Sequence, residues 1–186
     1  ANAVLRKIAA EGAEGWNTRA EPQLPGWLRQ PLVAAWGRDA VKGVEAAHFA
    51  GAPLDLSAKG NASDLAPAVG GQMLPTGSVR VEDAGQITAL PGYADGDWWV
   101  QDAAAALPVK LLGDISGLHI LDLCAAPGGK TLQLAAGGAQ VTAVDVSEAR
   151  MARVRDNLAR IGVAAKTVIS DAFAFDQSGF DAVLLD

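Results

Sequence analysis

The chain has 186 residues, half of them hydrophobic, with one Cys, two His and a formal net charge of −6. That length suits one or two domains with a sizeable core; a single Cys excludes an internal disulfide framework or a multi-Cys zinc site, and His48 and His119 stand too far apart to suggest a metal centre, so no metal is expected. No apolar run reaches the ~20 residues of a membrane span, and Arg6 and Lys7 interrupt any signal-peptide pattern. The expectation is a cytoplasmic monomer that does not meet a membrane.

Residues 1–11 read as a helix with Val4, Leu5 and Ile8 on one face. Residues 12–25 contain Gly, Glu and Pro without periodicity and read as a linker. A helical region follows over residues 30–49, apolar at Leu32, Val33, Trp36, Val41 and Val44. Trp27 and Trp36 suit packing better than base stacking. Residues 54–59 alternate and read as a strand. Asn61, Ser63 and Asp64 supply cap-type residues for a helix over 62–70. Residues 73–75 and 78–81 read as edge-type strands, followed by a further strand at 86–90, which makes a small α+β insert. A turn at 92–97 leads to a short strand at 98–100. Asp102 then caps a helix over 103–107 that Pro108 breaks or restarts.

From there the pattern changes to strand–helix repeats. Strands are expected at 119–123, 140–144, 165–169 and 180–185. Helices are expected at 129–136 and from the Ser147 cap to Ile161, the latter with Met151, Val154, Leu158 and Ile161 as its buried stripe and Gly162 as its stop. Such repeats imply an α/β fold, a parallel sheet with right-handed crossovers.

The first strand of that sheet runs into Asp122, a small residue, Pro127, Gly128 and Gly129, and then a helix. Ligands of open α/β sheets sit at the carboxyl ends of strands. Glycines allow close backbone approach, and the first N–H groups of a helix face outward. A P-loop would need a glycine where Cys124 stands, and the spacing of a dinucleotide fingerprint is absent. An S-adenosylmethionine turn is a third reading of this stretch. Asp122, Asp145, Asp171 and Asp186 fall at or near four strand ends. A carboxylate about 20 residues past the turn suits a ribose diol, which is the place of Asp145. An acidic site also suits a cationic sulfonium.

The run from Leu121 to Thr131, LDLCAAPGGKT, resembles the cofactor motif of RNA 5-methylcytosine methyltransferases of the RsmB/Sun (Fmu) type, which modify small-subunit ribosomal RNA. Residues 2–6, 25–28 and 100–102 resemble the same family. The resemblance implies the first half of a Rossmann-like, S-adenosylmethionine-dependent methyltransferase domain over 92–186. A pre-catalytic helical and α+β domain would span 15–91, and the tail of an all-α NusB-like domain 1–14, the chain being truncated at both ends. It implies S-adenosyl-L-methionine as cofactor and ribosomal RNA as partner. Cofactor binding carries over onto Cys124, Ala125, Ala126, Pro127, Gly128, Gly129, Lys130, Asp145, Asp171 and Asp186. Asp171 would accept from the adenine amino group and Asp122 would face the methionine end. Asp186 would support catalysis at the target cytosine.

Family members add a cysteine thiolate to carbon 6 of cytosine. Cys124, at the base of the turn with no cation nearby in sequence, reads instead as a buried small hydrophobe. The family's Ala-Pro-Cys after the position of Asp186 is not in this chain, so the chain alone is expected to be inactive. Arg150 matches a typical arginine of the family's helix after Asp145 but reads as an exposed helix arginine, and Lys130, which could point to solvent or to RNA, reads as a helix-start residue. Arg29, Arg38, Lys42, Lys59 and Arg80 are candidates for phosphate contacts or solvated charges. The rival readings are a methyltransferase of another RNA or of protein, and a non-catalytic RNA- or cofactor-binding remnant.

Overall fold

The computed structural model describes residues 2–18, 20–82 and 84–186; Ala1, first in the expected N-terminal helix, lies outside them. Internal contacts divide the chain into Ala1–Ala52 and Pro53–Asp186.

The first unit holds α1 (Asn2–Asn17), α2 (Gly26–Trp36) and α3 (Arg38–Ala50). α1 continues beyond residue 11 after an interruption at Gly12 (φ 69°, ψ −178°), so the expected linker begins later. The region expected as one helix over 30–49 is two, because Gly37 adopts φ 85° between them. Val41 is buried, but Val4, Leu5, Trp27, Trp36 and Val44 are exposed rather than packed. A unit this small has little opposing surface with which to cover an apolar face. The polar anchor is Glu45, which is buried and accepts from Arg29 Nε at 2.8 Å and Leu24 N–H at 2.9 Å.

The second unit begins with an antiparallel sheet. Its strands are β1 (Leu54–Ala58), β2 (Gln72–Met73), β3 (Val79–Val81) and β4 (Trp98–Val100), in the order β2-β3-β1-β4, with α4 (Ala62–Ala68) between β1 and β2. Asn61 caps α4 by accepting from Ser63 N–H. β3, expected at an edge, is interior; Ile87–Ala89, expected in a strand, is a single 3₁₀ turn. β4 pairs with β1, so the small sheet takes in residues beyond the expected boundary at 91/92. Successive side chains of a strand face opposite ways, and β4 uses both directions. Trp98 enters a core with Leu56, Val79 and Val81, whereas Trp99 enters another with Leu132, Met151 and Val154. Arg80, a candidate phosphate contact, instead grips buried Asp55 through Nε at 2.7 Å and a terminal nitrogen at 2.9 Å.

A turn over 103–106 and α5 (Leu107–Lys110) replace the expected helix at 103–107, with Pro108 in the first turn of α5. Then come β5 (His119–Leu123), α6 (Gly129–Ala136), β6 (Gln140–Asp145), α7 (Glu148–Ile161), β7 (Lys166–Ile169) and β8 (Ala182–Leu185). These strands are parallel, in the order β7-β6-β5-β8. β6 is buried continuously from its second residue, as a strand covered on both faces should be. α7 begins at its Ser147 cap, ends at Gly162 (φ 68°) and buries the expected stripe of Met151, Val154, Leu158 and Ile161. Each such side chain contributes about 1.5–3 kcal/mol of burial. The chain leaves β5 toward β6 and β7 and returns to β8 on its other side. The carboxyl ends of β5 and β8 therefore flank a topological switch point, where ligands of such sheets bind.

Candidate cofactor site at the carboxyl ends of the parallel strands

The turn after β5 is built from main-chain geometry that few residues tolerate. Cys124 has φ 59°, in the left-handed region, and Gly128 has φ 102° as N-cap of α6. A Cβ on Gly128 would lie 3.1 Å from the Val154 side chain, so glycine lets the turn pack on α7. The Ala126–Pro127 peptide bond is cis. Cys124 is exposed, not the buried hydrophobe expected. It is the first residue beyond β5, outside the strand's buried run, and a left-handed residue there reverses the chain at the mouth of the crevice.

Two hollows meet at Cys124. The first, about 220 Å³, is lined by Cys124, Asp145, Arg150, Asp171 and Phe173, among others. The second, about 280 Å³, is lined by Gln101, Asp122, Cys124, Lys130 and Asp186, with Ala125, Ala126, Pro127 and Gly129 completing it. Every expected site residue lines one of them except Gly128, whose part is the packing just described. A larger open hollow of about 620 Å³ beside α4 contains none of these residues.

The carboxylates differ in their surroundings. Asp145 is buried; one oxygen accepts from Ser147 N–H at 2.9 Å, the other from Ala126 N–H at 3.1 Å, so it fastens the turn to β6. Asp171 is exposed and accepts from Phe173 N–H at 2.8 Å. Asp122 is buried and accepts from Thr131 Oγ1 at 2.5 Å. Burial pushes its carboxyl up to about 6, against the opposing pull of the Thr131 hydrogen bond and the Lys130 charge. Asp186, largely exposed, pairs with Lys130 Nζ at 2.5 Å.

Two assignments change. Lys130 is more than a helix-start residue: its side chain is mostly covered and committed to Asp186. Arg150 is half exposed, yet its guanidinium donates to the Ala126 carbonyl and stands 3.5 Å from Asp145. It sits in the first turn of α7, beside the end of β6, which brings it over the cofactor turn. Thr131 and Gln101 have partners that the sequence does not show. Thr131 was visible inside the motif, and Gln101 inside the 100–102 stretch; their partners lie elsewhere in the chain. Of the other candidate cations, Arg29 is paired with Glu45, Lys59 donates to the Ile161 carbonyl, and Arg38 and Lys42 are exposed.

A sequence profile described as "16S rRNA methyltransferase RsmB/F" matches residues 110–186. Those residues, less than half of the chain, are similar to the RsmB/F methyltransferase family. The matched segment contains the whole parallel sheet and every expected site residue. The chain is 48% identical over 115 residues to ribosomal RNA small subunit methyltransferase B of Salmonella arizonae, a match covering 59% of this chain and 27% of that protein. The protein of that name from an Escherichia coli O139:H28 strain is 46% identical over the same span and coverage. The chain thus spans about a quarter of the length of these relatives. Among solved structures, a methyltransferase homologue from Pyrococcus horikoshii superposes with a TM-score of 0.69 at 24% identity, covering 87% of this chain and 63% of that one. It shares the Rossmann-like α/β fold seen here. No helix among the described residues is long and apolar enough to cross a membrane.

Proposed function

We propose that the chain supplies the cofactor-binding part of an S-adenosylmethionine-dependent methyltransferase acting on carbon 5 of cytosine in small-subunit ribosomal RNA. The observation that carries this reading is the arrangement around Cys124. Asp145 and Asp171 line one hollow, and Asp122, Lys130 and Asp186 line its neighbour, all on the LDLCAAPGGKT turn or at strand ends beside it.

S-adenosylmethionine, when bound, supplies an electrophilic methyl group on a cationic sulfonium. The protein's groups suit its parts. An ionised carboxylate has about four lone-pair sites; main-chain N–H groups take one on each oxygen of Asp145, which leaves capacity for the ribose diol. Asp171 accepts from the adenine amino group. Asp122 accepts from the methionine ammonium. Cys124 packs against the cofactor, and the attacking thiolate belongs to another cysteine of the protein that carries this chain. Asp186 faces the target cytosine, held by Lys130. Paired with Lys130, the Asp186 carboxylate accepts from the amino group of the target cytosine and positions the base for addition of the thiolate, an effect of roughly 3–4 kcal/mol for one well-placed hydrogen bond.

Calorimetry with S-adenosylhomocysteine tests the cofactor assignment: the chain is expected to bind, and Asp145→Ala to lose tenfold or more in affinity, about the worth of one charged hydrogen bond. A variant that binds like the parent removes the ribose assignment. Tritiated-methyl transfer to small-subunit ribosomal RNA by the protein that carries this chain tests the rest. Asp186→Asn is expected to cut turnover by about two orders of magnitude with cofactor affinity nearly unchanged, whereas Cys124→Ala is expected to keep most activity.

A further inference from the structure

A cleft away from the cofactor site carries positive charge in a chain whose net charge is −6. It measures about 220 Å³ and lies between β1, the hairpin turn joining β2 and β3, and α6; Ser57, Lys59, Gly77, Trp99, Lys110 and Gln133 line most of it. Among the described residues no carboxylate lines it. Two lysines, then, line one small hollow, and Lys59 also borders the larger hollow whose lining includes Asp64 and Asp97.

Both ammonium groups are held by main-chain carbonyls instead. Lys59 Nζ donates to Ile161 O at 2.6 Å, at the end of α7, and Lys110 Nζ donates to Thr76 O in the hairpin turn. A carbonyl orients an ammonium without cancelling its charge, and each ammonium keeps two further donors. Among the described residues neither lysine pairs with a carboxylate. Both heads also rest against glycines in the left-handed region. A Cβ on Gly77 (φ 76°) would come within 3.1 Å of Lys110 Nζ, and one on Gly162 (φ 68°) within 3.4 Å of Lys59 Nζ. Burial without a compensating acid pushes the Lys110 ammonium below its usual range. The hydroxyls of Thr76 and Ser78, on either side of Gly77, are buried without a hydrogen-bond partner, which leaves spare donors on the same turn.

We infer that this cleft binds a phosphate of the RNA backbone, with Lys59 and Lys110 as its cationic walls. The choice of RNA over a free anion rests on the function proposed above. It is also supported by position: Gln133 in the cleft accepts from Gln101 Nε2 at 2.9 Å, and Gln101 lines the hollow that holds Asp122 and Asp186. The two hollows lie on either side of one hydrogen-bonded pair, as a backbone phosphate site beside a base site would.

The test measures the chain's affinity for a single-stranded oligonucleotide of small-subunit ribosomal RNA sequence across a salt series. Lys59→Gln and Lys110→Gln are each expected to weaken binding about threefold or more and to lower the slope of log K against log salt by about 0.7. Lys59→Arg and Lys110→Arg are expected to restore the slope. Acetylation footprinting is expected to show the RNA protecting Lys59 and Lys110 while Lys166 stays reactive. Unchanged affinity and slope in the Gln variants would overturn the proposal, as would weakening that arginine does not rescue. Protection by inorganic phosphate but not by the oligonucleotide would assign the cleft to a free small anion and overturn the RNA reading. Binding of S-adenosylhomocysteine is measured in parallel. If it is absent while the lysine effects on RNA persist, the cofactor reading fails and the phosphate site stands.

Discussion

A carboxylate one residue from the end of a buried strand is held differently from one just beyond it. Asp122 shares β5 with Ile120 and Leu121, all buried, while Asp186 follows β8 into solvent. An unfolded aspartate titrates near 3.8, and Asp122 in the fold near 6. The folded state binds the proton more tightly, so this group's stabilising contribution is complete below about 4 and lost as pH rises through about 6. A rise of that size corresponds to about 3 kcal/mol. Asp122→Asn, which stays neutral and can still accept from Thr131, is expected to flatten stability between pH 4 and 6 and to exceed the parent at pH 7. Denaturant titrations at pH 4 and pH 7 read this; an unaltered pH dependence would mean that another group carries it. Cofactor affinity should move oppositely. With Asp122 proposed to accept from the methionine ammonium, the ionised carboxylate is the binding form, so affinity for S-adenosylhomocysteine is expected to rise through pH 6 in the parent and to stay low and flat in the variant.

At the scale of elements, local signals produced the most accurate boundaries. β5 and α6 match the residues expected of them, and α7 lies between the cap and stop expected for it, because caps, stripes and glycine stops act within a few residues. Elements with weak local signals were misread. Residues 86–90 have strand-like composition but pair with neither sheet and form a 3₁₀ turn, and 103–106 have helix formers but make a turn that leads into the short α5. The turn at 92–97 is set by contact with a distant element. Gly96 has φ 74°, and a Cβ there would fall 2.1 Å from Arg160 O near the end of α7. The Arg160 side chain packs over Tyr93 at 4.3 Å from the ring centre and donates to the carbonyls of Tyr93 and Trp98, each at 3.0 Å. Gly96→Ala is therefore expected to destabilise by about 3 kcal/mol or more, lowering Tm by at least about 6 °C in a calorimetric melt. A Tm within a degree of the parent would show that the turn and α7 separate freely.

Across the second unit, a buried amide joins the two sheets. Gln101 Oε1 accepts from Ser57 Oγ at 2.7 Å and Trp99 Nε1 at 3.0 Å, its Nε2 donates to Gln133 on α6, and Gln133 donates to Ala106 O at 3.0 Å. The network ties the antiparallel layer to the helix that begins at the cofactor turn. Gln101→Leu is close in volume but strands the Ser57 and Trp99 donors and the Gln133 acceptor. Each orphaned buried group costs about 1–3 kcal/mol. The expected result is a loss of about 3 kcal/mol or more and weaker cofactor binding than stability alone accounts for, read by denaturant titration beside calorimetry with S-adenosylhomocysteine. Unchanged cofactor affinity in the folded variant would confine the network to stability.

The sequence by itself determined the parallel α/β rhythm, the position of the turn from Leu121 to Thr131 and the aspartates gathered at the strand ends. Periodicity, capping and glycine placement are local, and parallel topology follows from their alternation. Tertiary structure alone decided which cations were free: Arg80 is taken by Asp55, Arg150 by the Ala126 carbonyl and Asp145, Lys130 by Asp186, while Lys59 and Lys110 keep their charge in one cleft. It also decided that Cys124 is exposed and Asp122 is not. These outcomes depend on which surfaces meet across tens of residues, and the free energy of a charged group depends on its neighbours and its burial, neither of which is written in the adjoining sequence.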